Sequence, residues 1–175
     1  MQIRTITVGA YMTNCYLLTD DTTSDTAVID PGDQADKIIR EIEDNKLNVK
    51  YILMTHGHFD HTGAVAEIYA RYKAPIYINK EEYRVNDPVF PRLDPAAAIN
   101  YLSDGDTLAL GILKIEVLAT PGHTPGSCTF KVENALFTGD TLFRSSCGRT
   151  DFPGGSFLEM LLSLKRLADL EGDYN

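Results

Sequence analysis

Thr55-His56-Gly57-His58-Phe59-Asp60-His61-Thr62-Gly63 is the stretch on which the reading of this chain turns. Three of the four histidines in 175 residues fall within six consecutive positions, together with an aspartate. The apolar run before it, residues 51–54, reads as a buried strand. Residues 62–72 after it carry Ala64, Ile68 and Arg71 at turn spacing and read as a helix. The cluster therefore sits at a strand end, where open α/β sheets gather ligands. Alternation in an extended loop sends His56 and His58 to one side, and a turn beginning at Asp60 aims Asp60 and His61 at a neighbouring point. Neutral imidazoles and carboxylates are the donors of a catalytic zinc, or of iron or manganese. Gly57 and Gly63 are expected to let the backbone bend around the ions. A purification tag would be terminal and uninterrupted, and this cluster is neither.

Two further stretches point to the same chemistry. The fourth histidine lies in Thr120-Pro121-Gly122-His123-Thr124-Pro125-Gly126, where two prolines and two glycines stiffen a loop around it. A lone loop histidine is more often solvated, but this one also follows a strand end. Asp140, in Phe137-Thr138-Gly139-Asp140-Thr141, either caps a turn or serves as a carboxylate shared between two ions.

Working outward, residues 2–8 and 14–19 read as a hairpin, and residues 26–29 as a strand ending in the turn Asp30-Pro31-Gly32. Residues 33–45 have helical spacing, with Asp33 as cap. Residues 76–78 suit a strand, and residues 80–98, with three prolines, suit a long loop containing one helical turn. Residues 107–110 with 113–118, and 127–132 with 135–138, suit two hairpins, before an amphipathic helix over residues 156–170. Strands and helices alternate first, and strands and a late helix follow. This order implies an α/β (α+β) fold of two facing sheets covered by helices. Nothing splits residues 1–175 into two domains.

Composition narrows the partners. A net charge of −9 repels polyanions, so no nucleic acid is expected. There is no apolar run of the roughly 18 residues a membrane helix needs, so no membrane partner is expected either. The first ten residues lack the apolar core of a signal peptide, which implies a cytoplasmic protein. Three cysteines without a C-x-x-C spacing argue against a disulfide framework. Cys15 and Cys128 lie in strand patterns and read as buried apolar residues, whereas Cys147 lies in a Gly/Ser loop.

Asp30 in Ile29-Asp30-Pro31-Gly32, H-x-H-x-D-H from His56 to His61, Pro-Gly-His at His123 and Gly-Asp at Asp140 together resemble the metallo-β-lactamase superfamily. Gly139 to Phe143, then Gly148-Arg149-Thr150-Asp151 and Pro153-Gly154-Gly155, look like its short bacterial glyoxalase II-like (hydroxyacylglutathione hydrolase-like) branch. The resemblance implies an αββα sandwich of two facing mixed sheets with helices outside and metals at the sheet edges. It implies that His56, His58 and His123 hold a first ion, that Asp60 and His61 help hold a second, and that Asp140 bridges them. Asp60 would also orient the attacking hydroxide. Asp30 would stand behind the ligand loop, or only cap a turn. Arg149 would contact a glutathione carboxylate, or else pair with Asp151 in a turn. The cofactor would be one or two zinc ions, with iron or manganese as alternatives.

The activity so implied is hydrolysis of a small-molecule thioester such as S-lactoylglutathione, through attack of metal-bound hydroxide on the carbonyl. The alternatives are a mononuclear-iron persulfide dioxygenase and a metal-binding but inactive domain. Superfamily lactonases, β-lactamases and nucleases fit less well, given the charge and the absence of an export signal. One departure stands out. The family takes a further histidine from a loop after the last helix and one more strand, whereas this sequence ends in Glu171-Gly172-Asp173-Tyr174-Asn175. The expectation is a single metallo-hydrolase domain with its C-terminal strand and last ligand loop missing. An edge strand left exposed in this way would be open to oligomer formation.

Overall fold

The computed structural model describes residues 1–84 and 99–174. The chain runs through β1 (Gln2–Val8), β2 (Thr13–Thr19), β3 (Asp25–Ile29), α1 (Ala35–Asp44), β4 (Asn48–Leu53), α2 (Phe59–Thr62), α3 (Val65–Tyr72) and β5 (Ile76–Asn79). A 3₁₀ turn (Lys80–Arg84) follows, then β6 (Ile99–Leu102), β7 (Thr107–Leu110), β8 (Leu113–Ala119), β9 (Cys128–Val132), β10 (Ala135–Phe137) and α4 (Phe157–Ala168). The larger sheet has the order β1-β2-β3-β4-β5-β6 and the smaller β10-β9-β8-β7. In the larger sheet β1, β2 and β3 pair antiparallel, as their short connections require, while β3 to β6 pair parallel. The mixed pairing belongs to this sheet alone, since the described pairs of the smaller one are all antiparallel.

Strand periodicity builds the two cores. Leu17 and Leu18, Val28 and Ile29, and Ile52 and Leu53 are neighbours in sequence, so they point to opposite faces of the larger sheet. Leu17, Val28 and Ile52 bury against Ile38 and Ile42 of α1 and Val65 and Ile68 of α3. Leu18, Ile29 and Leu53 bury against Leu110, Ile115, Val117 and Phe130 of the smaller sheet. Strands with no wet face read as continuous apolar runs, which is why these were visible in the sequence. Cys15 and Cys128 lie within these layers, fully buried. No helix among the described residues is long and apolar enough to cross a membrane.

Two local expectations need correction. The helix expected over residues 62–72 is broken into α2 and α3, because the Ala64 N–H donates to the Pro31 carbonyl (2.9 Å) instead of continuing the first turn. Asp33 does not cap α1. The flanking residue is Gln34, in a left-handed conformation, and Asp33 Oδ1 accepts from its N–H (2.6 Å). Strand β6 has no counterpart in the sequence pattern. The long loop expected over residues 80–98 begins as the 3₁₀ turn, and its part from 85 to 98 lies outside the described residues. Helix α4 starts at Phe157, with the Ser156 hydroxyl accepting from the Glu159 N–H. It is anchored to the segment after β8, where Ser163 Oγ donates to the Pro121 carbonyl (2.7 Å).

Candidate metal centre

Parallel strands β3 and β4 end side by side, and this registers Asp30 against the histidine loop. Asp30 takes the left-handed conformation (φ 51°), which aspartate tolerates better than most residues, and its N–H donates to the Leu53 carbonyl (2.9 Å). Its buried carboxylate accepts from the Thr55 N–H (2.7 Å) and the Thr55 hydroxyl (2.7 Å), and it meets His61 Nδ1 at 2.9 Å. These contacts settle where the protons lie. Thr55 has one hydroxyl proton and gives it to Asp30, so towards His56 Nδ1, 3.1 Å away, its oxygen acts as an acceptor. His56 therefore carries its proton on Nδ1, which leaves Nε2 as a lone pair. That Nε2 is buried with no hydrogen-bond partner. His123 is set the same way, because its Nδ1 faces the Arg149 carbonyl (2.6 Å), which can only accept. Its Nε2 lies 2.8 Å from His58 Nδ1.

Two donor groups result, His56 with His58 and His123, and His56 with His61 and Asp140, each with its ligand atoms within 4.8 Å of one another. Asp140 spans both, with Oδ1 3.2 Å from His61 Nε2 and Oδ2 3.3 Å from His123 Nε2. Asp60 Oδ2 stands 3.8 Å from His61 Nε2 and accepts from Thr13 Oγ1 (3.3 Å). The residues fit a metal. An orphaned buried imidazole nitrogen is costly to leave unmet, and it converges here with further imidazoles and a carboxylate.

The two groups differ in charge. Burial, then the neighbouring histidines, push His56 well below the usual imidazole range, and burial and His123 lower His58. For His61 burial also disfavours the charge, but Asp30 and Asp140 outweigh it and hold the ring up to about 10. Burial raises the Asp140 carboxyl less than its bond and charge interactions with the histidines lower it.

Backbone clearance matters around this loop. Gly63 has an ordinary helical φ of −59°, and a Cβ there would collide with the Gly32 carbonyl oxygen. Glycine is thus required for close approach of two loops rather than for the bending expected from the sequence.

The structure brings Asp30, His56, His58, Asp60, His61, His123 and Asp140 together. Arg149 is placed otherwise. Its guanidinium makes two bonds of 2.6 Å to Asp151 and lies 4.1 Å from the Phe152 ring centroid. Arg144 lines the adjoining cavity of about 580 Å³, beside Tyr11, Tyr16, Leu142 and Phe143, with Asp60, His61 and Asp140 in the same lining. Sequence reasoning missed Thr55, Arg144, the Arg149 carbonyl and the buried Glu82. None carries a local signature, since each acts through a contact that only folding creates.

A model of the metallo-β-lactamase superfamily matches residues 8–174. Hydroxyacylglutathione hydrolase GloC of Haemophilus influenzae is 34% identical over 186 residues, covering 99% of this chain and 87% of that protein. A crystal structure of ETHE1 from Myxococcus xanthus superposes with a TM-score of 0.81 at 30% identity, covering 95% of this chain and 69% of that one. TTHA1623 in a di-iron-bound form superposes at 0.84 with 31% identity, covering 95% and 86%. With a family match over nearly its whole length, and relatives of that similarity, this chain belongs to the metallo-β-lactamase superfamily.

Proposed function

We propose that this chain hydrolyses thioesters of an acidic thiol such as glutathione, with S-lactoylglutathione as the test substrate. One observation carries the reading: Asp140, shared between the two donor groups, opens onto a cavity lined by Tyr11, Tyr16, Leu142 and Phe143, with Arg144 at the same wall. The name of the Haemophilus relative supports the same substrate class.

The side chains divide the work. Tyr11, Tyr16, Leu142 and Phe143 enclose the acyl and thiol arms of the substrate. Arg144 meets a carboxylate remote from the reacting carbon, as a charge-assisted contact. Asp60, held by Thr13 and partly exposed, orients the attacking water and takes up its proton. His56, His58, His61, His123 and Asp140 would hold a divalent ion, which would supply an acidified water and polarise the thioester carbonyl. The carbon–sulfur bond breaks to release a thiolate, a weak enough base to need no proton donor.

A second reading rests on His58, His123 and Asp140. His123 Nε2 lies 2.8 Å from His58 Nδ1 and 3.3 Å from Asp140 Oδ2, and two imidazoles with one carboxylate are the donor set of mononuclear iron oxygenases. Elemental analysis beside an S-lactoylglutathione assay separates the two. Zinc, or another hydrolytic metal, with release of free thiol is the result expected of the hydrolase. Iron with oxygen uptake on glutathione persulfide, and no thioester cleavage, overturns it.

A further inference from the structure

Among the described residues, Glu82 is the one buried acidic side chain near the centre that the chemistry above does not use. It lies on the 3₁₀ turn after β5, the strand beside β4, and is only 6% exposed. Its Oε2 accepts from the Gly57 N–H (2.8 Å), between His56 and His58. Its Oε1 accepts from the Gly126 N–H (2.8 Å) and from the hydroxyl of Thr124, which follows His123. Thr124 is itself held, with its Oγ1 2.8 Å from Ser127 Oγ. The two loops that carry the three-histidine group are thus tied to opposite oxygens of one carboxylate.

The backbone is shaped around this contact. A Cβ on Gly57 would stand 2.8 Å from Glu82 Oε2, and one on Gly126 would stand 2.5 Å from the Glu82 backbone nitrogen. Both glycines clear space for the carboxylate and its turn. Burying a carboxylate is expensive unless donors surround it, and here two amides and a hydroxyl do so. A carboxylate held in this way fixes the spacing of the groups that donate to it, much as outer partners orient metal ligands elsewhere.

We propose that Glu82 is a positioning residue, a clamp that sets the distance between the His56–His58 loop and the His123 loop so that their three imidazoles converge on one ion. The proposal rests on the metal centre and not on the substrate, so its test reads metal binding alone.

Cobalt(II) is titrated into metal-free protein, followed by its visible absorption, for the wild type and for Glu82→Gln, Thr124→Val and Thr124→Ser. Thermal unfolding of each metal-free protein is recorded in parallel. Gln keeps the size but turns a donor towards one loop, so Glu82→Gln is expected to weaken cobalt binding about 10- to 100-fold and to change the absorption bands. Thr124→Val shifts both in the same direction, and Thr124→Ser, which keeps the hydroxyl, restores them. A merely structural Glu82 would lower the unfolding temperature and leave affinity and spectrum unmoved. Folded Glu82→Gln and Thr124→Val proteins with wild-type affinity and spectrum overturn the clamp. Should Glu82→Gln not fold, the Thr124 pair decides by the same criteria. A wild type that binds no cobalt overturns the metal centre itself.

Discussion

His56 lies in the loop after β4 and His61 in the short helix α2 that follows, with ring centroids 4.2 Å apart, yet the fold treats their protons in opposite ways. His56 is buried among other histidines and kept neutral, its Nδ1 proton spent on Thr55 and its Nε2 lone pair left bare. His61 is gripped between Asp30 and Asp140 and kept protonated. The three-histidine group therefore presents the bare Nε2 of His56 beside the close His58–His123 pair (2.8 Å), a donor set that a cation completes. The group around His61 already holds a positive charge, a proton, that an ion must displace. Two sites a few ångströms apart, sharing Asp140, should thus load in order, with the three-histidine group first.

The comparison breaks most completely if a ligand of the first group is removed. His58→Ala should lower affinity for the first ion beyond the roughly 100-fold that loss of an outer partner costs, and should abolish hydrolysis, as read by elemental analysis and a thioester assay. Asp30→Asn should weaken the second ion about 10- to 100-fold and the first much less, because it removes the acceptor of the His61 Nδ1 proton. Two-step cobalt or zinc titration reads the difference. The charge of His61 gives a pH signature. Its ring is held up to about 10 in the metal-free protein, so at pH 7 the second ion releases this proton and the first releases none from the neutral His56. Affinity for the second ion should rise about tenfold per pH unit and level off near pH 10, and calorimetry in buffers of different ionisation enthalpy counts the proton.

The smallest effect concerns the substrate. Arg144→Ala should raise KM for a carboxylate-bearing thioester about tenfold, the worth of one charged hydrogen bond, with kcat little changed. Arg149→Ala should do much less, since that guanidinium is already paired with Asp151 and its carbonyl, which orients His123, survives the substitution.

What the sequence made legible follows the same division. His56, His58, Asp60 and His61 crowd into six positions, and the strand before them is a continuous apolar run, so both chemistry and frame are local in the chain. The holding contacts are not local. Glu82 reaches 25 residues back to Gly57 and 44 forward to Gly126, and in sequence it is one of two adjacent glutamates in a polar turn. Strand β6 is four residues long and mostly half-exposed, so it has neither the length nor the pattern to announce itself. The break between α2 and α3 depends on the Pro31 carbonyl, contributed by a turn more than thirty residues earlier. Arg144 and Arg149 look equivalent on the same loop, and only folding shows that Asp151 claims one of them and the cavity keeps the other.

Reconstitution tests the central claim most directly. Chelator-stripped protein is titrated with zinc while S-lactoylglutathione hydrolysis and bound metal are followed in the same samples. The account predicts no hydrolysis without metal, activity that grows with bound zinc, and none at any zinc level in His58→Ala. Hydrolysis by the stripped protein, or zinc bound at the histidines with no thioester cleaved, would contradict it.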